Sequence, residues 1–118
     1  QHVNNTMYFK YFEIARIDFF TQAGLFDNLE KEQIGPVLGD NYAKYKRPVT
    51  FPDTLLIGVS ISDIQDTHFM THYTVFSQAQ QAIVTQGEAK VVMFNFKRMQ
   101  KSPLDGKLLD FLHANEQR

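Results

Sequence analysis

The N-terminal segment carries apolar side chains at a spacing typical of a helix. One face is formed by residues three and four positions apart, namely Tyr8, Tyr11, Phe12, Ala15 and Phe19. Much of the remaining circumference is also apolar, through Met7, Phe9, Ile14, Ile17 and Phe20. A helix that is apolar on nearly all sides is buried by its surroundings, so this pattern predicts that the rest of the chain wraps around it.

Polar and small residues mark the ends of this helix. Asn4 or Asn5 is a suitable N-cap, because the side-chain oxygen of asparagine accepts a backbone N–H of the first turn. Gly24 is a natural stop, since glycine readily adopts the left-handed conformation that ends helices. Residues 25–34 form a mixed connector with room for a short helical turn, and Gly35-Pro36 is expected to end it.

Beyond the connector, the apolar residues alternate with a period of two, which is typical of β-strands. The alternation predicts four strands, at residues 37–47, 53–64, 67–77 and 82–97. Gly87 is expected to form a bulge in the fourth strand. Residues 104–114 return to helical spacing and predict a short amphipathic helix. Strands that follow a helix, instead of alternating with helices, indicate the α+β class.

Composition restricts the classes of function. The chain has 118 residues, 43% of them hydrophobic, which suits one globular domain with a modest core. A net charge of −1 gives no electrostatic support for nucleic acid or an anionic membrane as a partner. The absence of cysteine removes thiolate nucleophiles and thiolate metal ligands. The sequence shows no signal peptide or membrane-spanning run, so a cytoplasmic location is predicted.

Three short motifs resemble one enzyme family, and the resemblance covers essentially the whole chain. The first is His2-Val3-Asn4-Asn5-x-x-Tyr8, and the second is Tyr11-Phe12-Glu13-x-Ala15-Arg16. The third is Tyr45-Lys46-Arg47-Pro48, followed by Asp53 at the family's spacing. Together they resemble the hotdog-fold acyl-CoA thioesterases of the 4-hydroxybenzoyl-CoA thioesterase type. Plant acyl-ACP thioesterases carry a similar Asn-x-His-Val-Asn-Asn segment, so the carrier of the acyl group stays open.

The resemblance implies a hotdog fold, in which a curved antiparallel sheet of five strands wraps around the central helix. Because the residue pattern predicts four strands, the first strand is expected upstream of Gln1. Residues 1–118 are then expected to form a single, N-terminally incomplete domain. The family's catalytic Asp is likewise expected four positions before His2. The family is oligomeric with active sites at a dimer interface, so a homodimer or homotetramer is expected.

The resemblance also implies roles for residues of this chain. The backbone N–H of Asn5 falls where the family polarises the thioester carbonyl, a role that the free N–H groups and dipole of a helix start favour. His2 is expected to orient a water molecule or to share the proton transfer. Asn4, Asn5 and Tyr8 are expected to shape the pocket floor, and Arg47 to meet the phosphates of coenzyme A. No metal or organic cofactor is implied.

These residues also have structural interpretations that the sequence leaves open. His2 could cap a backbone group in the turn, and Asn4 could act as the helix cap, alone or together with a role in the site. Tyr8 could belong to the core. Arg47 could lie on a solvated edge, which is the slightly preferred interpretation.

Other charged and titratable residues favour structural roles. Glu13 is better interpreted as a partner in a local ion pair, with Lys10 or Arg16 three residues away on the same helix, than as a carboxylate of the site. His68 and His72 share one face of a predicted strand but lie well apart. No third ligand accompanies them, so the sequence predicts no metal site there.

The sequence therefore predicts a thioesterase that hydrolyses a fatty or aromatic acyl-CoA to the free acid and CoA. Two other functions remain open at this point. One is an acyl-ACP thioesterase, and the other is a non-catalytic hotdog module that binds an acyl group or a partner protein. The length of the acyl chain does not follow from the residue pattern.

Overall fold

The computed structural model describes residues 6–27 and 29–116, so His2, Asn4 and Asn5 lie outside the described part. Its helices are α1 (Thr6–Ala23), α2 (Leu29–Glu32) and α3 (Gly106–Ala114), and its strands are β1 (Ile34–Tyr45), β2 (Leu55–Ser62), β3 (His68–Ser77), β4 (Ala82–Asn95) and β5 (Gln100–Lys101). The predicted order of a long helix, four strands and a short helix is confirmed. The helical turn expected in the connector is α2, whereas the two-residue strand β5 is not predicted by the pattern. Within these ranges, no helix combines the length and apolar character needed to cross a bilayer.

Helix α1 has the limits that its flanking residues predict. It begins at Thr6, directly after the two candidate caps. At its other end Gly24 has a φ of 78°, in the left-handed region. The N–H of Leu25 donates to the carbonyl of Phe20 at 3.0 Å, and the N–H of Gly24 donates to that of Thr21 at 3.2 Å. This pair of hydrogen bonds is a Schellman motif, which terminates the helix.

The prediction that α1 is buried on nearly all sides is wrong for the described chain. A single stripe is buried, formed by Tyr8, Phe12, Arg16, Phe20 and Ala23. Ile14 is 58% exposed and Ile17 is 47% exposed, although both are apolar. The physical reason is that one sheet layer contacts only one side of a helix, so the other apolar side of α1 has no cover within the described residues.

The four long strands form one antiparallel sheet in the order β1-β4-β3-β2, with β5 paired to the end of β4. The face toward α1 is apolar as the two-residue period predicts, and its β3 residues are buried, namely Phe69, Thr71, Tyr73 and Val75. The opposite face carries a polar row whose members are cross-strand partners, namely Tyr42, Glu88, His72 and Ser60. The alternation of β3 is therefore confirmed in detail.

Two local expectations about the strands are wrong. Gly35 and Pro36 do not end the connector before the sheet, because both lie inside β1 and pair with Phe94 and Met93. Proline is accepted here because β1 ends the strand order, and an edge strand has one side whose N–H groups need no ladder partner.

Gly87 does not form a bulge, because its pairing with Ala43 and Tyr73 is regular. The register shifts occur elsewhere, where Gly39 is the extra residue on β1 and Val84 is the extra residue on β4, opposite Val75 and Phe76 of β3. A Cβ at Gly87 would lie 2.5 Å from Cε2 of Phe12 and 2.8 Å from the carbonyl oxygen of Tyr42. The absence of a side chain at residue 87 therefore lets the ring of Phe12 lie directly on the sheet.

The core between α1 and the sheet divides into two clusters. The proximal cluster contains Tyr8 and Phe12 from the N-terminal part of α1, together with Val49, Tyr73, Val75, Val84 and Ala89. The distal cluster lies at the C-terminal end of α1 and contains Phe20, Ala23, Leu25, Ile61, Phe69, Val91, Met93, Leu104 and Leu112. Leu112 of α3 is fully buried in the distal cluster, so α3 closes that end of the core as its amphipathic pattern predicts.

Candidate functional site

The described part of the candidate site begins at the first turn of α1. This helix starts at Thr6, immediately after the segment that holds His2, Asn4 and Asn5, which lie outside the described residues. The first turn contains no Asp or Glu, so no carboxylate of that turn offsets the positive end of the helix dipole. The long helix therefore starts within the motif, and the start of a helix favours a group that gains negative charge.

Tyr8 lies in the proximal cluster and is 2% exposed. Its ring centroid is 5.8 Å from that of Tyr11 and 5.5 Å from that of Tyr45. Burial raises the pKa of the Tyr8 phenol above its ordinary value of 10.0, and the nearby Thr85 hydroxyl lowers it in part. The phenol is therefore neutral at physiological pH and can donate a hydrogen bond. Its position agrees with the core interpretation, and its role in the pocket floor stays a prediction.

Arg47 lies on the exposed surface. Its backbone N–H donates to the carbonyl of Val84 at 3.1 Å, and the N–H of Lys46 donates to the same oxygen at 2.8 Å. These two hydrogen bonds fix the segment after β1 to β4, next to a member of the proximal cluster. The side chain of Arg47 is thus presented to solvent at that end of the molecule, and its contact with a phosphate stays a prediction.

A cavity of about 240 Å³ lies beside the second turn of α1. Its wall is formed by Tyr11, Val49, Phe51, Asp53, Leu55 and Ile57. Five of these six side chains are aromatic or aliphatic, so the cavity favours an apolar group. Since Tyr11 follows the start of α1 by only five residues, this cavity lies at the same end of the helix as the sequence motif.

The carboxylate of Asp53 in the wall of this cavity is held by hydrogen bonds. It accepts one from the hydroxyl of Ser77 and one from the backbone N–H of Ala79, the latter at 3.0 Å. The Ser77 hydrogen bond is the largest cause that lowers the pKa of Asp53 below its ordinary value, followed by that of Ala79. Asp53 is therefore ionised at neutral pH, and it fixes the turn between β3 and β4 to the segment before β2.

A buried polar chain that the sequence analysis missed crosses the core behind this region. Nη1 of Arg16 donates to the hydroxyl of Tyr73 at 3.0 Å. The Tyr73 hydroxyl lies 2.7 Å from Oγ1 of Thr71, which donates to the carbonyl of Ala89 at 3.2 Å. Because Thr71 has only one hydroxyl proton, Tyr73 is the donor in the bond between the two side chains.

The spacing of residues on α1 already indicated that Arg16 belongs to this buried polar chain. Arg16 lies four residues after Phe12 and four before Phe20, in the middle of the buried stripe of α1. The ion pair expected at Glu13 forms with Lys10, at 3.4 Å, as one of the two predicted alternatives. Arg16 instead contacts Tyr73 of the sheet.

The face of the sheet away from α1 carries a second group of polar side chains. Nε2 of His72 lies 2.6 Å from Oγ of Ser62, and Nδ1 of His72 lies 3.6 Å from a carboxylate oxygen of Glu88. The Ser62 hydroxyl donates to Asp63 at 2.9 Å, so its single proton is not available to His72. A nucleophilic serine needs a histidine that accepts that proton, and this arrangement therefore does not have the hydrogen bonding of a hydrolytic triad.

Comparison with known proteins identifies the family of this chain. A family model described as "Thioesterase-like superfamily" matches residues 1–112. A curated protein of Aquifex aeolicus named "Putative esterase" is 27% identical over 77 residues, which are 64% of this chain and 60% of that protein. The chain thus spans less than two thirds of the length of the curated relative that it matches.

Solved structures resemble the chain over nearly its full length. The structure of a gentisyl-coenzyme A thioesterase is 23% identical with a TM-score of 0.79, covering 94% of this chain and 86% of that one. A Staphylococcus aureus protein solved in complex with CoA is 12% identical with a TM-score of 0.88, covering 99% of this chain and 76% of that one. At these identities the likeness shows the fold, and the predicted hotdog fold is confirmed.

Proposed function

The chain belongs to the thioesterase-like superfamily, and we propose that it hydrolyses an acyl-CoA to the free acid and CoA. The observation that carries the proposal is the position of α1, which begins at Thr6, within the motif that runs from His2 to Tyr8. A helix start presents free N–H groups and a positive potential. A thioester carbonyl needs this kind of stabilisation, because its oxygen becomes negatively charged when the carbonyl is attacked.

The proposed residue roles follow the reaction. The backbone N–H of Asn5 polarises the carbonyl, and His2 orients a water molecule or transfers its proton. The resemblance supplies the base or nucleophile as an Asp four positions before His2. With the Asp as base, water attacks the carbonyl carbon and forms the new C–O bond, the C–S bond breaks, and the CoA sulfur takes up the proton that the water loses. With the Asp as nucleophile, its carboxylate displaces the CoA thiolate, and water then hydrolyses the resulting anhydride to the free acid. None of these steps requires a metal or an organic cofactor.

The substrate is proposed to lie across the proximal end of the molecule. The cavity of about 240 Å³ beside Tyr11 receives the acyl group, and an apolar cavity of about 150 Å³ is known to hold benzene. A substituted aromatic ring or a short aliphatic chain therefore fits this space. The gentisyl-coenzyme A thioesterase among the similar structures supports an aromatic acyl group. Asn4 and Tyr8 shape the pocket floor, and exposed Arg47 meets the phosphates of CoA.

The proposed assembly is a homodimer or homotetramer. Ile14 and Ile17 leave one side of α1 apolar and exposed, and contiguous apolar surface of this kind is typical of an interface. Strand β1 ends the order of the sheet, so one of its edges pairs with no other strand of the described residues, and a second copy can extend it. Neither nucleic acid nor a membrane is proposed as a partner, and the cytoplasmic location stays a prediction.

The test is release of free thiol from short-chain, long-chain and aromatic acyl-CoAs by the full-length gene product. We expect release with at least one class but not equally with all three, because one apolar cavity admits only a limited range of acyl groups. Replacing His2 with Ala is expected to lower turnover by about 100-fold or more. The matched control is His113→Ala, since His113 is exposed on α3 at the distal end and has no proposed role.

Two results would contradict the proposal. Tight binding of an acyl-CoA without thiol release would indicate the non-catalytic acyl-binding module. Hydrolysis of acyl-ACP alone, with a rate that falls steeply as salt is added, would indicate an acyl-ACP thioesterase, because attraction between exposed charges is screened at high ionic strength.

A further inference from the structure

A second cavity, of about 290 Å³, lies at the distal end of the molecule, between the end of α1, α2 and the start of α3. Its apolar wall shares residues with the distal cluster, among them Leu25 and Met93. Its polar wall is formed by Asp27, Glu32, Ser102, Asp105 and Lys107. Three acids and one base give this wall a formal net charge of −2, so the cavity favours a cation.

The carboxylate of Asp27 lies against the end of α1. A Cβ added to Gly24 would be 2.8 Å from Oδ2 of Asp27, so this oxygen lies beside the residue that ends the helix. The C-terminal end of a helix carries a partial negative charge, and the last turn of α1 contains no basic residue. No described Lys, Arg or His forms an ion pair with Asp27 within 4.0 Å. Two negative potentials therefore meet in the wall without a cation.

The hydroxyl of Ser102 is an independent indication of a ligand. Ser102 is 8% exposed and forms part of the cavity wall. Its backbone N–H donates to the carbonyl of Met93 at 2.9 Å, whereas its hydroxyl has no hydrogen bond to a described residue. Among the described side chains, the unpartnered polar atom that is fully enclosed is Oγ1 of Thr85. The Ser102 hydroxyl is therefore accessible, and the cavity is the space that it faces.

The acids of the wall are spread over different elements. Glu32 belongs to α2, and Asp105 precedes α3, whose positive start offsets its charge in part. In the part of the chain that the structure describes, no three His, Asp or Glu side chains are placed to hold one metal ion. A ligand with separated positive charges and an apolar middle therefore matches this wall better than a single metal ion does.

We propose that this cavity binds a protonated aliphatic diamine. One ammonium group contacts Asp27 at the end of α1, and the other contacts Glu32. The Ser102 hydroxyl accepts a hydrogen bond from one of them, and the alkyl chain packs against Leu25 and Met93. The volume exceeds the roughly 150 Å³ that holds benzene, so a four-carbon chain with two ammonium groups fits.

This site is separate from the proposed reaction centre and from the surfaces proposed for a second copy. Strand β1 contributes only its first residue, Ile34, whose side chain packs on the distal cluster. Neither Ile14 nor Ile17 lies in the wall. Diamine binding does not depend on thioester hydrolysis, so the two proposals fail independently.

The first experiment compares putrescine, butylamine and butanol on the wild-type full-length protein by isothermal titration calorimetry at pH 7. The three probes share a four-carbon chain and carry two, one and no positive charges. We expect putrescine to bind once per chain and at least about threefold more tightly than butylamine, since an exposed ion pair is worth a factor of this size. Butanol should bind most weakly. Equal affinities for the two amines, or no putrescine binding, would overturn the proposal.

The second experiment assigns the second ammonium group to Glu32. Glu32→Gln should abolish the preference for putrescine over butylamine. Glu30→Gln is the matched control, because both residues are exposed on α2 but only Glu32 lies in the wall. The control should keep the preference. Equal behaviour of the two variants would overturn the proposal, because it would indicate a general attraction between amines and an acidic surface.

An anion at the start of α3 is the competing occupant, since Lys107 and the start of that helix also line the cavity. Lys107→Gln removes a positive charge and should bind putrescine at least as tightly as the wild type does. Weaker putrescine binding by this variant, or tighter binding of butyrate than of butylamine by the wild type, would overturn the proposal. Stronger competition by Mg²⁺ than by NaCl at matched ionic strength would overturn it as well, in favour of a metal site.

Discussion

The two ends of the core differ in chemistry. The distal cluster contains only Phe, Ala, Leu, Ile, Val and Met side chains, and α3 closes it with fully buried Leu112. The proximal cluster includes two tyrosines, Tyr8 and Tyr73, and buried hydroxyls of Thr71 and Thr85 lie on the neighbouring strand positions. Both clusters pack on the same helix and the same sheet, so the contrast arises from the side chains and not from the architecture.

The contrast teaches where stability and function are placed. Burial of apolar side chains is the main stabilising contribution to a fold, whereas each buried polar group must find a partner to avoid a cost. The distal end is therefore expected to carry more of the stability. The proximal end accepts polar groups beside the sequence motif and the cavity near Tyr11, as functional regions commonly do.

The largest expected effect is at the distal end. Leu112→Ala should lower the free energy of unfolding by about 3 kcal/mol, because it leaves a cavity under α3. Urea denaturation measures this change. The control is Leu56→Ala, whose leucine is 50% exposed and should cost little. Similar losses for the two variants would contradict the assignment of stability to the distal cluster.

At the proximal end, packing is expected to be most sensitive at Gly87. Gly87→Ala should cost about 2 kcal/mol, because its Cβ would overlap the ring of Phe12 and the backbone at Tyr42. Gly58→Ala is the matched control on β2, since no atom lies within 4 Å of the added Cβ. Thermal unfolding of both variants measures this difference in stability. A stable Gly87→Ala protein would show that the aromatic ring does not need direct contact with the strand.

Substitution of two threonines at the proximal end should change stability by different amounts. Thr71→Val should destabilise by about 1 kcal/mol, because it removes the acceptor of Tyr73 and the donor to Ala89. Thr85→Val should be close to neutral, since its buried hydroxyl lies near the Tyr8 phenol but has no hydrogen-bond partner of standard geometry in the described ranges. Denaturation midpoints of the two variants test this difference. Equal destabilisation would mean that the Thr85 hydroxyl is satisfied after all.

The smallest expected effect is on acid stability at Asp53. Its pKa is lowered in the folded state, so its ionised form stabilises the fold above the ordinary pKa of 3.8. That stabilisation is lost as the pH falls below this value toward the folded-state pKa. The melting temperature of Asp53→Asn should therefore change less between pH 5 and pH 3 than that of the wild type. Asp110→Asn, on exposed α3, should keep the wild-type dependence.

The sequence predicts helix ends and strand faces well where neighbouring residues determine them. Gly24 ends α1 because its left-handed conformation is a backbone property of glycine, and the β3 faces follow from the two-residue period. The short helix predicted at residues 104–114 begins only at Gly106, and Leu104 is buried directly ahead of it.

The wrong or missing predictions concern positions whose structure depends on residues far away in the sequence. The role of Gly87 depends on Phe12, which lies on another element, and the position of Arg16 depends on Tyr73, which is 57 residues away. The exposed side of α1 could not be foreseen, because an apolar pattern shows that a helix side needs cover but not whether the same chain supplies it. The roles of His2, Asn4 and Asn5 are inferred from the motif alone and remain predictions.

The most direct test of the account measures turnover and stability together on two variants of the full-length protein. Thiol release from the preferred acyl-CoA and the melting temperature are determined for His2→Ala and Leu112→Ala at a temperature where both are folded. We expect His2→Ala to lose turnover with little change in melting temperature. We expect the reverse for Leu112→Ala, which should be less stable but active. Full activity in His2→Ala would contradict a reaction centre at the start of α1.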